Sequence, residues 1–93
     1  MTDENGEADF KAALAAEGYD VATKSMDPSM TLDDHTHDFD VRAVVTAGQI
    51  SITVDGQTRG YAVGGRFTMA AGCVHSEVVG PDGVTFVVGR REP

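Results

Sequence analysis

The chain has no tryptophan, one cysteine, three prolines and three histidines among its 93 residues. With Cys73 alone, no internal disulfide can form, which fits a reducing compartment. Bases are also scarce: seven lysines and arginines stand against fifteen acids, for a formal net charge of −8. Such a chain repels phosphate backbones, so nucleic acid is not an expected partner. No apolar run approaches the length of a membrane span, so no membrane is expected either. The start, MTDENGEADF, lacks the positive and apolar regions of a signal peptide. The expectation is a soluble cytoplasmic protein of one domain. A domain this small buries only about 60 to 65% of its unfolded surface, so a bound metal or a second copy would reinforce a thin core.

Hydrophobic residues make up 41% of the chain, enough for a globular fold. The charge is uneven: residues 1–40 carry eleven acids and two bases, −9, and residues 41–93 carry four acids and five bases, +1. The first six residues read as frayed. EADFKAALAAEG then reads as a short helix with Phe10 and Leu14 on its apolar stripe and Gly18 as its stop. After Gly18 the pattern alternates. YDVATKSM, VRAVVTA, QISITVD, TRGYAV, RFTMA, CVHSEVV and VTFVVGR read as short strands, with VDGQ and GPDGV as hairpin turns. Ile50, Ile52 and Val54 share a core face, with Ser51 and Thr53 outward. The fold class predicted is all-β, a sandwich or closed barrel, with an N-terminal arm and helix over residues 1–18 and the β domain over 19–93.

The histidines stand in a pattern. On a strand, residues i and i+2 share a face, so His35 and His37 project together with Cα atoms about 6.5 to 7 Å apart. A barrel that brings His75 over them makes a three-imidazole site, suited to Zn, Fe, Ni or Cu. Asp34, Asp38 and Asp40 alternate with the histidines and read as solvated, Asp40 as a surface partner of Arg42. Glu77 has the parity of His75. It is the carboxylate with the better claim to the pocket, Asp40 the weaker one. Cys73 reads as a small buried residue in the turn before His75.

HTHDFDVRAVVTAGQI followed by GGRFTMAAGCVHSEV resembles the two motifs of the cupin superfamily. His35, His37 and Gly48 match the first motif; Gly64, Gly72 and His75 match the second. The resemblance spans about residues 30 to 89. It implies a jelly-roll β-barrel with one divalent transition metal (Fe, Mn, Ni or Zn) held inside by His35, His37 and His75. The pattern departs at the glutamate ligand, where Val41 or Arg42 stands. Ala70 replaces the second motif's proline and Val78 its asparagine, and Met30, Thr31 and Leu32 occupy the place of the opening glycine. Similar cupins with three histidines and no glutamate include thiol and diketone dioxygenases. The chemistry implied is therefore of dioxygenase or isomerase type on a small anionic or enolisable molecule, with Glu77 as catalytic proton shuttle. The pocket lining expected is apolar, with Phe39, Val41, Tyr61 and Met69 as substrate-binding residues and Ala43, Ile50, Ile52, Phe67 and Phe86 around them. Arg42 and Arg59, with Tyr61, are the candidates to orient an anion. The alternative is a non-catalytic barrel that binds or senses a small molecule. Small cupins of this kind are commonly homodimers; Phe10 and Leu14 would then pack on the partner, or else cover the end of their own barrel.

Overall fold

The computed structural model describes residues 6–93. The start read as frayed therefore lies, Gly6 apart, outside the described residues. Helix α1 spans Glu7–Ala16, and six strands follow: β1 Asp20–Met26, β2 Thr31–His35, β3 Asp40–Val54, β4 Gln57–Ala62, β5 Arg66–Met69 and β6 His75–Arg91. Every pairing is antiparallel. The sheet order is β1-β6-β3-β4, with β2 also on β6 and β5 also on β3. Among the described residues, no helix is long and apolar enough to cross a membrane.

Two long strands dominate, β3 with 15 residues and β6 with 17. The sequence reads each as two short strands, and the difference lies in their glycines. GPDGV, expected as a hairpin turn, is a bulge within β6: residues 80–83 stand opposite Gln49 alone, between the pairs Ile50↔Val79 and Gly48↔Val84. Gly48 and Gly83 both take positive φ, 72° and 81°. They bend the strand pair in place instead of ending it. VDGQ, by contrast, is the hairpin turn predicted. Asp55 and Gly56 have φ of 51° and 76°, and Val54 pairs with Gln57 across them. Two successive positive φ values match the right-handed twist of the strands.

The inner core gathers Val41, Ala43, Val45, Ile50, Ile52, Phe67, Val79, Val84, Phe86 and Val88, all buried. Val54 packs against it, while Thr53 turns outward and bonds the Thr58 hydroxyl at 2.7 Å. A second cluster lies on the outer face, where Phe10 and Leu14 of α1 meet Tyr19, Val44 and Val87. The helix thus covers the outer face of its own sheet, not the barrel end. A Cβ at Gly89 would fall 2.8 Å from Leu14 Cδ1, so the absent side chain is what lets α1 lie this close. With both faces covered, Phe86, Val87 and Val88 are buried in a row, and alternation fails as a guide there.

Candidate metal centre

His75 opens β6, and its Cα partner across β2 is His35. His37 lies just past the end of β2, in the turn to β3, so its approach to His35 does not come from strand pleating. Tertiary contacts hold it instead. Gly72 N–H donates to the His37 carbonyl at 2.9 Å, and Ala71 N–H donates to Asp40 Oδ1 at 2.9 Å. These bonds tie the 36–40 turn to the 70–73 turn that delivers His75. Phe39 stacks on the His37 ring, with centroids 4.9 Å apart and planes within 11°.

The three rings converge. Centroid separations are 5.2 Å for His35–His37, 4.2 Å for His35–His75 and 4.9 Å for His37–His75. One ring nitrogen from each lies within 4.8 Å of the others. Backbone carbonyls set the tautomers. His35 Nδ1 sits 2.7 Å from the Asp33 carbonyl, and His75 Nδ1 sits 3.0 Å from the Cys73 carbonyl. A carbonyl only accepts, so each Nδ1 carries a proton, and it is Nε2 that each ring turns to the centre. This arrangement, with Nδ1 anchored and Nε2 free, is that of metal-ligating histidines. His75 is fully buried, and its Nε2 makes no hydrogen bond. A buried polar atom without a partner is costly, and a metal ion at that lone pair removes the cost.

Glu77 also reaches the centre. Its Oε2 stands 3.1 Å from His35 Nε2 and 3.4 Å from His75 Nε2. Asp40 does not, being held by the Ala71 amide. The expected Asp40–Arg42 pair is absent from the ion pairs of the described residues, where Arg42 instead binds Glu17 at 2.9 Å on the outer surface. Asp34 and Asp38 are exposed, as predicted. Cys73 is half-buried and contributes its carbonyl.

His37 has its pKa lowered from 6.5, first by burial and then by the charges that His75 and His35 can carry. The unfolded chain therefore takes up this proton at a higher pH than the folded chain. The stability tied to neutral His37 is complete above 6.5 and is lost as pH falls through that value toward the lowered one. Metal-free protein is expected to melt at a lower temperature as pH drops below about 6.5, and His37→Phe should flatten that slope. An unchanged slope in the variant would assign it to other groups.

A cleft of about 290 Å³ opens beside the histidines. Val41, Phe67, Met69, Phe86 and Val88 form its apolar walls, and His35, His37 and Glu77 lie along it. Of the residues expected to bind substrate, Val41 and Met69 line this cleft. Phe39 backs the His37 ring, and Tyr61 packs against Phe67 at 5.1 Å and lines a separate cleft that also contains Arg59. The cations of the histidine cleft are Lys24 and Arg90, which the sequence reading missed. Lys24 is paired with Phe86 across β1 and β6, which puts it on the inward face. The Arg90 guanidinium lies over the Phe39 ring at 5.2 Å. Alternation along β6 from Phe86 through Val88 to Arg90 was the available signal.

No family model matches this sequence, and no curated protein matches it. Solved structures do. A protein of unknown function from Rhizobium leguminosarum superposes with a TM-score of 0.76 at 18% identity, over 83% of this chain and 73% of its own. A cupin superfamily protein from Desulfitobacterium hafniense gives a TM-score of 0.70 at 13% identity, over 81% and 68%. The cupin domain of an XRE-family transcriptional regulator from Enterobacter cloacae gives 0.68 at 17% identity, over 85% and 86%.

Proposed function

We propose that this chain, a jelly-roll barrel of the cupin fold, holds one divalent transition metal on His35, His37 and His75 and acts through it on a small anionic or enolisable molecule. The observation that carries this reading is His75 Nε2, a fully buried lone pair without a hydrogen bond, facing two further imidazoles. Three neutral nitrogen ligands preserve the +2 charge of an ion, which supplies Lewis acidity toward a bound oxygen or sulfur anion. Lys24 and Arg90, which also line the cleft, orient the anionic group of the substrate. Val41, Phe67, Met69 and Phe86 exclude water from it. The cleft volume of about 290 Å³ suits a compact metabolite, not a polymer. Dioxygenase or isomerase-type chemistry fits this site.

A second reading has one observation behind it. The structural similarity to a cupin domain in a transcriptional regulator extends over 86% of that domain. The same cleft would then bind its ligand without turnover and report occupancy. Elemental analysis of protein purified without a histidine tag separates metal centre from plain barrel. One equivalent of a transition metal is expected in the native chain and less than a tenth of that in His35→Ala. Failure to retain Fe²⁺, Mn²⁺, Ni²⁺ or Zn²⁺ after anaerobic reconstitution would sink the metal reading and leave the ligand-binding one.

A further inference from the structure

The position that carries a carboxylate in the resembling motif is Val41 or Arg42 here, the first a 5% exposed wall of the core and the second paired with Glu17 on the outer surface. Asp40, next to Val41, is committed to the Ala71 amide. The site is nevertheless not without an acid, because one arrives from a different strand. Glu77 lies two residues after His75 on β6, with Leu32 of β2 and Ile52 of β3 as its Cα partners on either side. Its side chain is 11% exposed. Among the described residues, its ion-pair partners are His35 and His75 alone; no lysine or arginine neutralises it.

The distances are those a ligand would have. Donor atoms that share one ion at about 2.1 Å stand about 3.0 Å apart at adjacent octahedral corners and about 3.4 Å apart in a tetrahedron. Glu77 Oε2 is 3.1 Å from His35 Nε2 and 3.4 Å from His75 Nε2, within the span that donor atoms sharing one ion would have. With each Nδ1 anchored on a backbone carbonyl, both Nε2 atoms are turned toward the Glu77 carboxylate, so the three donor atoms converge on one point where an ion would fit. A proton shuttle would stand further out, toward the substrate.

We propose that Glu77 is the fourth metal ligand, so that the carboxylate of this centre is supplied by β6 and not by β3. The inference rests on the metal-centre reading. It changes what that centre is: three imidazoles and one carboxylate reduce the charge of a bound divalent ion from +2 to +1 and fill one more position. Val41 is then free to be a wall of the cleft.

The test is an anaerobic Co²⁺ titration of metal-free native chain and Glu77→Gln, followed by visible absorption. Glutamine keeps the shape and can still accept a hydrogen bond. If Glu77 only braced a ring, the cobalt bands would therefore stay where they are. As a ligand, its loss is expected to weaken Co²⁺ binding at least tenfold and to shift the ligand-field bands. Glu77→Asp keeps the charge but shortens the reach; it is measured alongside, gives the same loss, and serves if the glutamine variant does not melt cooperatively. Bands and affinity within twofold of the native chain in Glu77→Gln would overturn the assignment while leaving the three-histidine centre intact. A native chain that takes up no Co²⁺ overturns both.

Discussion

Replacing His75 with alanine is expected to abolish metal-linked stabilisation altogether. The native chain at a free metal concentration a hundredfold above the dissociation constant gains about 2.7 kcal/mol. For a domain of this size, that raises the melting temperature by more than 10 °C. His75→Ala should show no rise with any of Fe²⁺, Mn²⁺, Ni²⁺ or Zn²⁺. Among the described residues, His75 supplies the one buried side-chain donor atom without a hydrogen bond. Without metal, the substitution has a smaller cost. It vacates a buried site and leaves the Cys73 carbonyl without its donor, worth about 1 to 3 kcal/mol. Melting curves with and without metal, on both proteins, separate the two effects. A metal-dependent rise that survives in His75→Ala would place the ion elsewhere.

The second large effect lies far from the histidines. Gly48→Ala should cost about 3 to 5 kcal/mol, a large share of the net stability of a small domain. Gly48 has φ of 72°, and a Cβ there would fall on the carbonyl oxygen of Gly83. That contact is backbone against backbone, so no side-chain rotation relieves it. Gly56 makes the comparison. It has φ of 76°, but a Cβ there meets nothing within 4 Å. Gly56→Ala is therefore expected to cost only the strain of the left-handed conformation, about 1 to 2 kcal/mol. Equal losses from the two substitutions, measured by chemical denaturation, would show that conformational strain alone explains both.

The histidines were legible because spacing and scarcity coincide: His35, His37 and His75 are the only ones in the chain. The reason given for the first pair needed amending, since His37 lies beyond β2 and is held by Gly72 and Phe39. Glu77 could be found by parity, because β6 is regular from His75 to Glu77. Arg90 could be placed on the inner face by alternation along β6, but neither it nor Lys24 could be brought to the histidines from sequence. They meet the site only through the register of β1 on β6, and register depends on pairings distant in the chain. Arg42 misled for a related reason. Its neighbour Val44 is as apolar as Val41 but faces α1, so hydrophobicity alone does not say which face of β3 is inside. Pro-Asp-Gly marks a reversal in most contexts, yet here residues 80–83 protrude from a strand that continues past them.

Strand β6 pairs with β1, β2 and β3, begins at His75 and ends at Arg91 beside the helix. Its backbone amides therefore link three of the strands around the site. The edge strand β4 can fray without touching it; the histidine end cannot open without parting β6 from two neighbours. Hydrogen exchange along β6 should accordingly report the global opening of the molecule, and slowing by a bound ion would extend from His75 to the amides that face α1, although no ligand lies there.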